Sequence, residues 1–225
     1  MSLKPPKKSD LGKDWMKRRN DSRRSIHPEY HLIVTEGTKT EPLYFKRIKE
    51  IINEKFHDRI HLEISGEGEN TVALFGEAKR IADSSVNGYK HVWIVYDTDD
   101  FPSEDIDRIE ELCSHSSVGG RVFHAMWSNQ CIEIWFLLHF SFLHSDLHRS
   151  EYYPKLTACL KKISAGKYEK NRADIFDVLK PYIPEAIENA KKLEELNQGK
   201  LPSASAPGTK LYQFLEIIRP YLEQN

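Results

Sequence analysis

Three acidic side chains in this 225-residue chain stand where carboxylates can act together. Glu36 follows the apolar run His31-Leu-Ile-Val-Thr35 and precedes Gly37, while Asp97 and Asp99 follow the apolar run His91-Val-Trp-Ile-Val-Tyr96. In extended chain, residues i and i+2 project to one face, so Asp97 and Asp99 point together. Asp100, one residue on, points the other way. Gly37 has no Cβ and can take φ > 0, which lets the chain turn sharply around the Glu36 carboxylate. Neighbouring strands lie about 4.8 Å apart, so Glu36 and the two aspartates can share one cation if their strands are adjacent. Close carboxylates repel, and a hard divalent metal relieves that repulsion. An oxygen-only ligand set suits Mg²⁺ or Mn²⁺ rather than zinc. The plainer reading of acids at strand ends is exposed loop.

Further side chains could join them. Glu133 sits between Ile132, Ile134 and Trp135, and a carboxylate in apolar surroundings must be paired, protonated or functional. It falls in the first turn of an expected helix Cys131 to Phe140, where the helix dipole favours negative charge. Lys39 could meet a phosphate beside the metal, or be a surface lysine. His144 and His148 stand four apart around Asp146, without a further ligand. Gly66-Glu-Gly68 lacks the Lys-Ser/Thr of a phosphate loop, and no Ser-His-Asp signature or Walker motif is present.

Strands alternating with helices must position these groups. After the first strand, Thr40 is a good N-cap and Pro42 falls in the first helical turn, where its missing N–H costs little. Phe45, Ile48, Ile51, Ile52 and Phe56 then form one apolar stripe. Ile60, Leu62 and Ile64 alternate as a half-buried strand, followed by a helix carrying Val72, Phe75, Ala78 and Ala82. His91 to Tyr96 is nearly continuous apolar sequence, as in a central parallel strand covered on both faces. Ser103 caps the next helix, Val122 to Met126 is a fourth strand, and Asn129 opens the helix that follows. The order βαβαβαβα predicts an α/β fold, a parallel, Rossmann-like three-layer sheet. Sites in such sheets lie outside the carboxyl ends of the strands. After about residue 145 only helical segments remain, at Tyr152 to Ser164, Ile175 to Leu179, Ile183 to Leu196 and Leu211 to Tyr221. The expected organisation is a basic arm over 1–28, an α/β core over 29–145 and a helical subdomain over 146–225 packed on that core.

Charge distribution says more than net charge. The formal charge is -1 with 39% hydrophobic residues, which excludes a histone-like polycation and a disordered acidic chain. Residues 1–30 hold nine Lys or Arg against four acids. Arg18, Arg19, Arg23 and Arg24 crowd the end of this arm, a pattern suited to a polyanion or to solubility alone. No stretch reaches the roughly 20 apolar residues of a bilayer span. Three scattered cysteines without a CxxC, and no apolar signal segment, lead us to expect a reducing cytoplasm.

The residues Glu36-Gly-Thr-Lys-Thr-Glu-Pro-Leu-Tyr-Phe45 resemble the signature near the start of RloB-like proteins, a prokaryotic family encoded near restriction and phage-defence genes. Trp127-Ser-Asn-Gln-Cys-Ile-Glu-Ile-Trp-Phe-Leu-Leu-His-Phe140 is similar to that family's second block, with Gln130 where the family usually has proline. Tyr168 to Ala190 and Gly208-Thr209 add a third similarity, so the resemblance spans about Arg24 to Leu222. It implies a Toprim-like fold, shared with primases, topoisomerases and overcoming-lysogenisation-type nucleases. On that likeness Glu36 matches the Toprim glutamate, and Asp97 with Asp99 match its DxD pair.

Two functions of different class follow. One is a Mg²⁺-dependent phosphodiester-cleaving enzyme, a nuclease in anti-phage defence of the abortive-infection type. Glu36 and Glu133 would be its catalytic acids, Glu36, Asp97 and Asp99 its metal ligands, and Lys39 with the arginines of the arm its substrate contacts. The other is a non-catalytic sensor or accessory protein whose metal site binds a nucleotide or nucleic acid. DNA or RNA is the expected partner, with other defence-system proteins implied by the resemblance.

Overall fold

A computed structural model describes residues 28–66, 71–98 and 101–224. Four parallel strands, β1 (Glu29–Thr35), β2 (Ile60–Gly66), β3 (Tyr89–Asp97) and β4 (Val122–Ser128), form one sheet in the order β2-β1-β3-β4. Helices α1 (Thr40–Lys55), α2 (Thr71–Ser84) and α3 (Ser103–Ser116) connect them. The expected α/β three-layer architecture is present.

Alternation along the strands divides the interior in two. Ile33, Trp93 and Val95 face one core with Tyr44, Phe45, Ile48 and Ile52 of α1. Leu32, Val34, Val92, Ile94 and Tyr96 face the other, with Leu74 and Ala78 of α2 and Ile106 and Ile109 of α3. β1 and β3, the two inner strands, are therefore apolar on both sides, as parallel strands covered by helices must be.

The later helices are α4 (Glu133–Leu138), α5 (Arg149–Lys162), α6 (Ile175–Leu179), α7 (Ile183–Leu196) and α8 (Leu211–Leu222). They bury Trp135, Phe176, Ile187 and Phe214 in the same core as α1. Just before α8 the chain returns to the sheet. Thr209 bridges Ser128 antiparallel to β4, Asn129 N donates to Gly208 O (2.8 Å), and Lys210 N donates to Trp127 O (2.9 Å). A Cβ on Gly208 would stand 2.7 Å from Ser205 O and 3.0 Å from the Trp127 ring, so only glycine permits this approach. Among the described residues no helix is long and apolar enough to cross a membrane.

Several local expectations give way to tertiary contacts. Thr40 is the first residue of α1 rather than its cap; its hydroxyl donates to Lys170 O at 3.0 Å instead. Pro102, not Ser103, precedes α3 as the N-cap. The helix expected from Cys131 to Phe140 shortens to Glu133–Leu138, and Asn129 does not cap it. Gln130, before α4, adopts φ 46°, a value the proline ring forbids, and its Oε1 accepts from Arg149 N at 2.7 Å. His144 and His148 are exposed and precede α5; His148 is its N-cap, accepting a hydrogen bond from Ser150 N.

His139, at the end of α4, is 1% exposed; its Nδ1 donates to Trp135 O while Nε2 has no hydrogen-bond partner. Burial lowers its pKa from 6.5 to about 4. Between those values the unfolded chain binds the extra proton, so this stability is complete above pH 6.5 and is lost as pH falls toward 4. The difference amounts to about 3 kcal/mol. His139→Leu should therefore flatten the dependence of melting temperature on pH in that window; a slope equal to wild type would contradict the assignment.

Candidate functional site

The strand order reverses direction between β1 and β3: β2 lies to one side of β1, β3 and β4 to the other. Such a switch point leaves a crevice at the carboxyl edge, the usual binding place in open α/β sheets. The backbone of Glu36 extends the ladder by donating to Val95 O at 2.9 Å. Its carboxylate reaches across the seam, accepting from Asp97 N at 3.2 Å. Glu36 and Asp97 thus come from adjacent parallel strands.

The fold also brings Glu41 here. It is the second residue of α1, only 6% exposed, and lies on the helix stripe that continues through Tyr44, Phe45 and Ile48. An acid at i, i+3, i+4 and i+7 spacing with core residues is the signal that could have found it. Gly37 permits its position: a Cβ there would lie 2.6 Å from Glu41 Cδ. Gly37 was expected to turn with positive φ, and it does not. The turn is instead held by Thr35, whose hydroxyl donates to Gly37 O at 2.9 Å.

Glu133, first in α4, is 1% exposed and accepts from Tyr168 Oη at 2.7 Å. The interhelix salt bridge that would make it purely structural is thus replaced by a neutral hydroxyl. Gly37, Lys39, Glu41, Asp97, Glu133 and Lys170 line a shared cavity of about 260 Å³. Lys39 is exposed at its rim. Lys170 arrives from the loop between α5 and α6, with its ammonium 5.6 Å from the centre of the Tyr153 ring. Nothing local in the sequence marks it.

The electrostatics register the crowding. Burial, then Glu41, Glu133 and Glu36, push the Asp97 pKa well above the usual carboxylate range, while Lys170 opposes them. Burial chiefly raises Glu36 to about 7, with Glu41 adding to it against the hydrogen bond from Asp97. Glu41 is raised by burial and by Glu133. All four donors are carboxylate oxygens, the ligand chemistry of hard cations. No three acids of the crevice bring their oxygens within 4.8 Å of one another; among the described residues only Glu29, His31 and His91, at the opposite edge, do so. Asp99 and Asp100, and with them Arg18, Arg19, Arg23 and Arg24, lie outside the described residues. A larger cavity of about 430 Å³ beside Trp127 has its lysines engaged, Lys210 by Glu194 and Lys200 by Asn197.

Gly37→Ala should leave the fold intact, since only the end of a flexible side chain need move, yet displace the Glu41 carboxylate. Mn²⁺ affinity by calorimetry is expected to fall on the order of 10-fold, as for outer-shell changes around metals, with melting temperature nearly unchanged. Unaltered affinity would remove Glu41 from the site.

The family model for RloB-like proteins matches residues 31–218, a span that includes Glu36, Glu41, Asp97, Glu133 and Lys170. No curated protein and no solved structure matches the chain. With most of its length matched, the chain belongs to the RloB-like family.

Proposed function

We propose that the crevice between β1 and β3 is a Mg²⁺- or Mn²⁺-dependent phosphodiesterase centre acting on nucleic acid, a nuclease serving anti-phage defence. The observation that carries this reading is the convergence of Glu41, Asp97 and Glu133 on one cavity, with Glu36 held against Asp97 beside it, close enough that the other three acids oppose ionisation of Asp97. Like charges held together in this way call for a cation. Glu36 beyond β1 and Asp97 ending the adjacent β3 also fit the Toprim-like pattern, in which Asp99 would be a further ligand.

Bound among these carboxylates, the metal would neutralise a phosphate oxygen and lower the pKa of its water. The protein supplies the rest. Glu36, beside Asp97 at the seam, would act as general base or as a ligand to a second metal. Tyr168 fixes the orientation of Glu133 by its hydrogen bond. Lys170 within the cavity and Lys39 at the rim offer ammonium groups to a phosphodiester backbone.

Asp97→Asn and Glu133→Gln should each lower metal-dependent cleavage of DNA or RNA on the order of 100-fold or more. The second variant keeps an acceptor for Tyr168, so melting temperature should hold. Metal-dependent binding without cleavage by the wild-type protein would instead favour the sensor function. Deleting Met1 to Arg24 is expected to flatten the plot of log affinity against log salt concentration, because fewer phosphates are neutralised. An unchanged slope would leave the arm as a solubilising segment.

A further inference from the structure

At the amino-terminal edge of the sheet, opposite the acidic crevice, β1 and β3 bring together Glu29, His31 and His91. We propose that these three side chains form a zinc site, independent of the nuclease reading. Their ligand atoms all lie within 4.8 Å of one another. Glu29 Oε1 stands 3.4 Å from His31 Nε2 and 3.3 Å from His91 Nε2. Zinc bonds of about 2.0–2.1 Å in a tetrahedron set neighbouring ligand atoms roughly 3.3–3.4 Å apart, so both spacings fit one ion. Two imidazoles and one carboxylate, with a fourth position left for water, is an established zinc donor set.

A second observation points the same way. His31 is fully buried, and its Nε2 meets the Glu29 carboxylate at 3.4 Å, outside hydrogen-bond geometry. So poor a contact is costly for a buried imidazole nitrogen unless an ion lies between it and the carboxylate. The surrounding groups form an outer shell. His91 Nδ1 lies 2.9 Å from His124 Nε2, so His91 can donate there and present Nε2 to a metal. Lys90 Nζ holds the other Glu29 oxygen at 2.7 Å.

One contact works against the ion. The Trp93 indole N–H donates to His31 Nδ1 at 3.3 Å, placing the proton of the neutral ring on Nε2. Ligation through Nε2 moves that proton to Nδ1, where it meets the indole N–H. His91 and Glu29 bind without that cost. The ion would join the first residues of the two inner strands, β1 and β3.

Titration of the full-length protein with Co²⁺, followed by displacement with Zn²⁺, tests the site. One equivalent of Co²⁺ should give the intense visible bands of four-coordinate cobalt with nitrogen ligands, and Zn²⁺ should abolish them and raise the melting temperature. The bands should persist in Asp97→Asn and vanish in both His91→Ala and Glu29→Gln, each checked for folding by circular dichroism. Weak octahedral-type absorption alone, or bands unchanged in the folded His91→Ala or Glu29→Gln proteins, would overturn the proposal. Because Asp97→Asn silences the acidic crevice, failure here is distinguishable from failure of the nuclease reading.

Discussion

Across the seam between β1 and β3, Asp97 N donates to the carboxylate of Glu36 at 3.2 Å, and around that contact the crevice is arranged. Parallel pairing of the two inner strands ends both at the same edge, so their terminal acids meet. The helix that follows β1 begins there too, and brings Glu41. The short helix after β4 begins beside Asp97, and brings Glu133. Each acid is delivered by a different element, and all are delivered to the carboxyl edge because the sheet is parallel.

Such a concentration of like charge opposes folding. Pushing Asp97 and Glu36 above their usual pKa means that part of the folding free energy is spent on keeping buried carboxyl groups together. The two hydrophobic cores supply it. Inner-strand side chains alternate between them, and the helices beyond residue 149 extend the larger one, so the C-terminal region buttresses the site that it also helps to line. Tyr168 and Lys170 lie in the loop between α5 and α6, and the Thr40 hydroxyl fastens that loop to the start of α1. The strap at Gly208-Thr209 steadies Ser128, the register partner of Asp97. Strain is thus concentrated at one edge while packing elsewhere holds it, the usual relation between a site and its scaffold.

Local rules and long-range contacts divide cleanly at the helix starts. Thr40 is a residue type favoured as a cap, yet its hydroxyl donates to a carbonyl 130 residues away. Capping propensity is worth about 1 kcal/mol, which one buried tertiary hydrogen bond can match. Gly37 shows the same substitution of reasons. Its missing side chain serves close approach of Glu41 rather than a left-handed turn, and composition alone cannot distinguish the two uses.

The element order, the parallel sheet and the placement of Glu36 and Asp97 at strand ends are legible in the chain, because periodicity of apolar residues is a local property that survives without knowledge of neighbours. The resemblance carried by Glu36 to Phe45 and Trp127 to Phe140 determined the family. The strand order, the arrival of Glu41 and Lys170 at the cavity, the Tyr168 partner of Glu133 and the histidine cluster at the far edge were decided by tertiary structure alone. Each depends on residues distant in the chain becoming neighbours, and which distant residues meet is set by packing of whole faces rather than by any short run of sequence.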